Sequence, residues 1–107
     1  MPVKQITATT LREQLQNDTR LFLLDVREPD EFEYARIEGS TLIPLNQVPL
    51  RLQELDRNRS IVVICHHGIR SQQAAHFLDH QGFEQVLNLH GGIDAWSREC
   101  DASVPRY

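Results

Sequence analysis

Apolar residues fall along this chain in short continuous runs, with helix-spaced stretches between them. Leu21-Phe22-Leu23-Leu24, Ile61-Val62-Val63-Ile64 and Val86-Leu87-Asn88-Leu89 are the clearest runs. Runs of this length, rich in branched residues, read as strands buried on both faces. The first continues through Asp25 to Arg27, and the second ends at Cys65. Lys4-Gln5-Ile6 reads as a short edge strand, and Ser40-Thr41-Leu42-Ile43 as another, closed by Pro44. Between these runs the spacing changes. Ala8 to Gln16 carries Leu11 and Leu15 on one helical face, with Thr7 placed to cap it. Pro29 opens a short helix from Asp30 to Ala35, with acidic residues near its positive end. Leu45 to Leu55 has apolar residues at 45, 48, 52 and 55, which predicts a helix despite Pro49. A helix from Ser71 to about Gln81 stops at Gly82, and Gly91-Gly92 turns the chain into a last helix carrying Trp96. Asn17-Asp18-Thr19 and Asp56 to Ser60 read as turns, and Cys100 to Tyr107 as a tethered extension. Strands that alternate with helices predict an α/β fold with a mainly parallel sheet.

Bulk properties narrow the class. A chain of 107 residues predicts one domain over 1–107, with 40% hydrophobic and 24% charged residues. The net charge of −4 gives no footprint for nucleic acid, and no apolar run approaches membrane-spanning length. Met1-Pro2-Val3-Lys4-Gln5 does not read as a signal peptide, which predicts a cytoplasmic protein. In that compartment the two cysteines, Cys65 and Cys100, are not expected to pair.

The candidate chemistry lies in Cys65-His66-His67-Gly68-Ile69-Arg70-Ser71, where a buried strand hands over to a helix. Ligands of open α/β sheets bind at such carboxyl ends of strands. The first N–H groups of a helix are unpaired and carry the positive end of its dipole. A loop wrapped around a sulfur aims further N–H groups at it, and Gly68 gives the backbone the freedom to do so. Arg70 is always charged, and His66 and His67 are expected to add positive charge. Each favours the thiolate, the nucleophilic form. Asp25 and Arg27 end the neighbouring strand at the same edge, as site residues or, more commonly for such charges, as a scaffold pair. His76 and His80 stand four apart on a helix, the spacing of a metal-ligand pair, but two solvated histidines are the simpler reading. Cys100 as a resolving thiol and Trp96 as a pocket wall carry less weight than an incidental thiol and a core ring.

The same loop resembles the active-site loop of single-domain rhodanese proteins, which are sulfurtransferases. Three further stretches match in order and spacing: Leu24-Asp25-Val26-Arg27-Glu28-Pro29-Asp30-Glu31-Phe32, Ile37-Glu38-Gly39-Ser40-Thr41-Leu42-Ile43-Pro44-Leu45, and Leu89-His90-Gly91-Gly92-Ile93-Asp94-Ala95-Trp96. Arg36 departs from the pattern, which has histidine before Ile37. The resemblance implies a five-stranded, mainly parallel sheet with helices on both faces. It implies that Cys65 is a catalytic nucleophile that takes sulfane sulfur from thiosulfate or a persulfide and passes it to a thiol, a protein or another thiophilic acceptor. Residues 66–71 would form the substrate-binding loop, with Arg70 paired to the anionic donor, and no metal or cofactor is implied. Cysteine phosphatases and arsenate reductases use related parts, but with five residues between cysteine and arginine; here there are four, a cradle suited to one added sulfur. A binding module or persulfide carrier that keeps the fold is the remaining alternative.

Overall fold

The computed structural model describes residues 3–17 and 20–107. Strand β1 (Lys4–Ile6) is followed by α1 (Ala8–Asn17), β2 (Phe22–Asp25), α2 (Pro29–Tyr34) and β3 (Thr41–Leu42). After two short 3-10 helices (Leu45–Leu50 and Leu52–Glu54) come β4 (Ser60–Ile64), α3 (Ile69–His80), β5 (Gln85–Leu89) and α4 (Gly92–Glu99). The five strands form one sheet in the order β1-β5-β4-β2-β3, and each neighbouring pair is parallel. The expected α/β class and five-stranded sheet are what the chain forms.

Strand β4 sits at the centre, flanked by β2 and β5. Its residues alternate between two cores, because successive side chains point to opposite faces of a strand. Ile61, Val63 and Cys65 pack with Ala74, Ala75 and Leu78 of α3 and with Val48. Val62 and Ile64 pack with Leu11 of α1 and Ile93, Ala95 and Trp96 of α4. Each large aliphatic side chain so buried contributes about 1.5–3 kcal/mol. Trp96 is a core ring, as its spacing suggested.

Most boundaries shift by a residue or two, and three differences from expectation bear on the fold or the loop. The stretch 45–55 does not form one helix. Pro49 supplies no N–H to a longer ladder, and the segment breaks into two 3-10 pieces around Arg51. Helix α3 begins at Ile69, two residues early, so Arg70 and Ser71 lie in its first turn. Strand β2 is shorter than 21–27, although Val26 N–H still donates to Ile64 C=O at 3.0 Å. Thr7 caps α1 as expected, its Oγ1 accepting from Thr10 N–H at 3.2 Å. Of the expected turn at 17–19, residues 18 and 19 lie outside the described residues.

Candidate active site

Cys65 comes directly after the last residue of β4 and is 1% exposed. The chain there must leave the sheet, pass Gly68 in a left-handed conformation (φ 105°) and enter α3. This turn brings Gly68 N–H to 3.0 Å from Cys65 Sγ and Ser71 Oγ to 3.3 Å. Ser71 Oγ also donates to Asn88 Oδ1 of β5, while Asn88 Nδ2 donates to Gln5, Gln72 and the Gly68 carbonyl. With the serine proton on Asn88, Ser71 Oγ offers the Cys65 thiol an acceptor. Rotation of the hydroxyl turns it into a donor to the thiolate.

The outer side of the loop is held by α4. Ile93 N–H donates to Cys65 C=O at 2.8 Å and Asp94 N–H to His66 C=O at 3.2 Å. Two loop carbonyls thus satisfy the open N–H groups of a helix start and are turned away from the sulfur. The approach is possible only because residue 92 is glycine. A Cβ there would lie 2.5 Å from Cys65 O and closer still to His66 O, and its φ is +62°. The Gly91-Gly92 pair is therefore more than a turn: it brings backbone against backbone to shape the loop.

Arg70 is placed otherwise than expected. Its Nη1 and Nη2 donate to the two oxygens of Glu31 in α2 at 2.6 and 2.9 Å, so its fork is filled from within the protein. Hydrogen bonding to Glu31 is the main influence holding Arg70 above the ordinary guanidinium value, and the Cys65 charge acts in the same direction. The same pair holds the Glu31 carboxyl down at about 2. Glu28 N–H at 3.0 Å and Tyr107 Oη at 2.9 Å also donate to Glu31.

His66 also departs from expectation. Burial pushes it below the ordinary histidine value and His67 adds to this, against the Tyr107 backbone and the Asp94 and Glu31 carboxylates. Both influences work against the positive charge expected of it. Its ring lies between those of His67 and Tyr107, with centroids 3.9 Å from each. Tyr107, in the expected tethered extension, thus reaches the candidate site. Its hydroxyl accepts from Arg27 Nη1 at 2.8 Å, and burial pushes it up to about 12, so it stays protonated and donates to Glu31.

Asp25 and Arg27 are both fully buried and paired to each other, Nε to Oδ1 at 2.9 Å and Nη2 to Oδ2 at 2.7 Å. Arg27 also holds the carbonyls of Ala35 and Glu31. They act as scaffold. Ile69 is 75% exposed at the mouth of the loop, beside a groove also lined by His67, Gly68, Gln72 and Asn88. Ligand atoms of His66, His67 and Asp94 come within 4.8 Å of one another. Asp94 is taken by Arg106 at 2.9 Å and Arg98 at 3.4 Å, however, so its carboxylate is already paired. His76 and His80 are exposed on α3 with ring centroids 6.0 Å apart. Cys65 packs in the α3 layer and Cys100 against the α1–α4 layer, so the sheet separates the two thiols.

Residues missed in the sequence are Glu31, Asn88 and Tyr107. Glu31 stood in a matched stretch, but its partner is 39 positions away. Tyr107 had no local signal.

Comparison with known proteins decides the family. The rhodanese-like domain matches residues 7–99. This chain belongs to the rhodanese-like domain family. A sulfurtransferase of Allochromatium vinosum is 36% identical over 96 residues, covering 90% of each chain. YrkF of Bacillus subtilis, whose name describes a sulfur carrier protein, is 39% identical over 99 residues; these are 92% of this chain and 54% of YrkF. A rhodanese-related protein of Thermoplasma volcanium has a crystal structure that superposes with a TM-score of 0.83 at 34% identity, over 91% of this chain and 93% of that one. Relatives named for sulfur transfer and sulfur carriage thus share the sequence, and a rhodanese-related protein shares the fold. Among the described residues no helix is long and apolar enough to cross a membrane.

Proposed function

We propose that the chain acts as one sulfur-transfer domain in which Cys65 carries the sulfur. The observation that carries this reading is the cradle at the end of β4, where Cys65 Sγ accepts Gly68 N–H at 3.0 Å and α4 turns the loop carbonyls away from it. The thiolate attacks the outer sulfur of a donor. With thiosulfate, the S–S bond breaks, sulfite leaves with its electron pair, and Cys65 becomes a persulfide. An acceptor nucleophile then attacks the terminal sulfur and releases the thiolate; with cyanide the product is thiocyanate. This is covalent catalysis in two half-reactions. The Gly68 N–H and the start of α3 stabilise the anion in both. No step requires a metal or cofactor, and the acceptor is a thiol or a protein.

The test is intact mass after incubation with thiosulfate and removal of the donor. The parent gains one sulfur and loses it to cyanide; Cys65→Ser gains none. Failure of the parent to gain sulfur from thiosulfate or any persulfide would refute the reading. A persulfide carrier is favoured by a specific observation, the occupied fork of Arg70. Ready discharge by cyanide with slow loading from thiosulfate would support it.

A further inference from the structure

We propose that Glu31 sets donor specificity: by filling the guanidinium fork of Arg70 it disfavours small free dianions such as thiosulfate and favours donors that carry sulfane sulfur on a carbon chain, organic or protein persulfides. The inference rests on the sulfur-transfer reading above.

A guanidinium recognises an oxyanion through two parallel N–H groups. In Arg70 those groups already hold both oxygens of Glu31, at 2.6 and 2.9 Å. Glu31 is itself fixed. Its Oε1 also accepts from Glu28 N–H and its Oε2 from Tyr107 Oη, so both oxygens have two donors. Tyr107 is held by Arg27, whose own charge is balanced by Asp25. The arginine charges at this end of the sheet are therefore balanced before a donor arrives: Arg70 against Glu31, and Arg27 against Asp25. A Cys65 thiolate then leaves the site negative, and a dianion meets repulsion with no free fork to offset it. A persulfide does not require that fork. Cys65 thiolate attacks the terminal sulfur of R–S–SH, the new S–S bond forms and the donor S–S bond breaks. R–S⁻ leaves with the electron pair, and the proton stays on the transferred sulfur. Exposed Ile69 at the mouth suits the carbon chain of such a donor.

Glu31→Gln keeps an oxygen for Glu28 N–H and nearly the same shape, but removes the charge that occupies Arg70. Single-turnover formation of the Cys65 persulfide is followed by intact mass, with thiosulfate and with glutathione persulfide as donors. The rate ratio, thiosulfate over glutathione persulfide, is expected to rise about tenfold in Glu31→Gln, the factor a charged hydrogen-bonded contact commands. Tyr107→Phe removes one of the Glu31 donors and is expected to raise the ratio about twofold, as a weaker, neutral contact would. A ratio that is unchanged or lower while both donors still load Cys65 overturns the role of Glu31 and leaves sulfur transfer standing. If circular dichroism shows Glu31→Gln unfolded, Tyr107→Phe decides, and an unchanged ratio there overturns the proposal. A parent protein that takes sulfur from neither donor removes both the reading and the inference.

Discussion

Strands β2 and β4 lie side by side, Asp25 opposite Ile64, and both end in polar chemistry at the same edge of the sheet. The polar groups at the two ends are satisfied to different degrees. At the end of β2, Asp25 and Arg27 are fully buried, and both Asp25 oxygens and all three Arg27 nitrogens have partners. At the end of β4, Cys65 has a cradle on one side, Gly68, Ile69 and Arg70 are partly open, and His66 Nε2 is buried without a partner. Buried polar groups are normally satisfied, so complete satisfaction marks the first end as frame, and incomplete satisfaction sets the second apart as the candidate site. The difference separates two charged strand ends that read alike in sequence.

The largest effect is expected at the frame. Asp25→Asn leaves the shape but strands the Arg27 charge in the core. Breaking one partner from a buried pair destabilises by about 3–5 kcal/mol, a large share of the stability of a small domain. Urea unfolding should show this as a lower midpoint at an unchanged slope. A midpoint equal to that of the parent would mean that the pair is not what holds the β2 end.

The next effect falls on the working end. Gly92→Ala places a methyl group against the Cys65 and His66 carbonyls and strains a left-handed residue. About 2–3 kcal/mol of destabilisation is expected, from strain at a special backbone position. The diagnostic readout is sulfur loading of Cys65 under conditions where the variant is folded. Loading should fall at least about tenfold, because one hydrogen bond to a charged group is worth that factor and the displaced loop loses its aim. Loading at the parental rate would show that the approach of α4 does not shape the loop.

The contrast between the two ends also explains what was legible. Continuous apolar runs carried β2, β4 and β5 because a sheet covered on both faces admits little else. The Cys65 loop was legible because its parts are contiguous from 65 to 71, and the same holds for Gly91-Gly92 beside α4. Leu45 to Leu55 misled because its apolar spacing is helical while Pro49 withholds a donor, and the backbone settled on tighter turns. Glu31 and Tyr107 were missed for another reason. Each acts through partners far along the chain, Arg70 for Glu31 and Arg27 for Tyr107, which the fold alone brings together. The downward push on His66 was likewise beyond reach, since it depends on burial beside Tyr107 and on the proximity of His67.

The smallest effect concerns the bridge between the two ends. Glu31 receives Arg70 from the β4 side and, through Tyr107, Arg27 from the β2 side. Its carboxyl is lowered from 4.5 to about 2, chiefly by Arg70 and against the opposing effect of burial. A depressed folded value means that the unfolded chain takes up the proton first. The stability from this group is therefore complete above about pH 4.5 and is lost as pH falls from there through 2. Arg70 is 34% exposed, so solvent screens the pair and reduces its contribution to about 1 kcal/mol. The check is the stability difference between the parent and Glu31→Gln, measured by urea unfolding at pH 6 and again near pH 2.5. The parent should lead at the higher pH, and most of that lead should vanish at the lower one. A lead that persists near pH 2.5 would mean that the Glu31 charge does not tie the open end to the frame, and that the two ends are joined through Tyr107 packing instead.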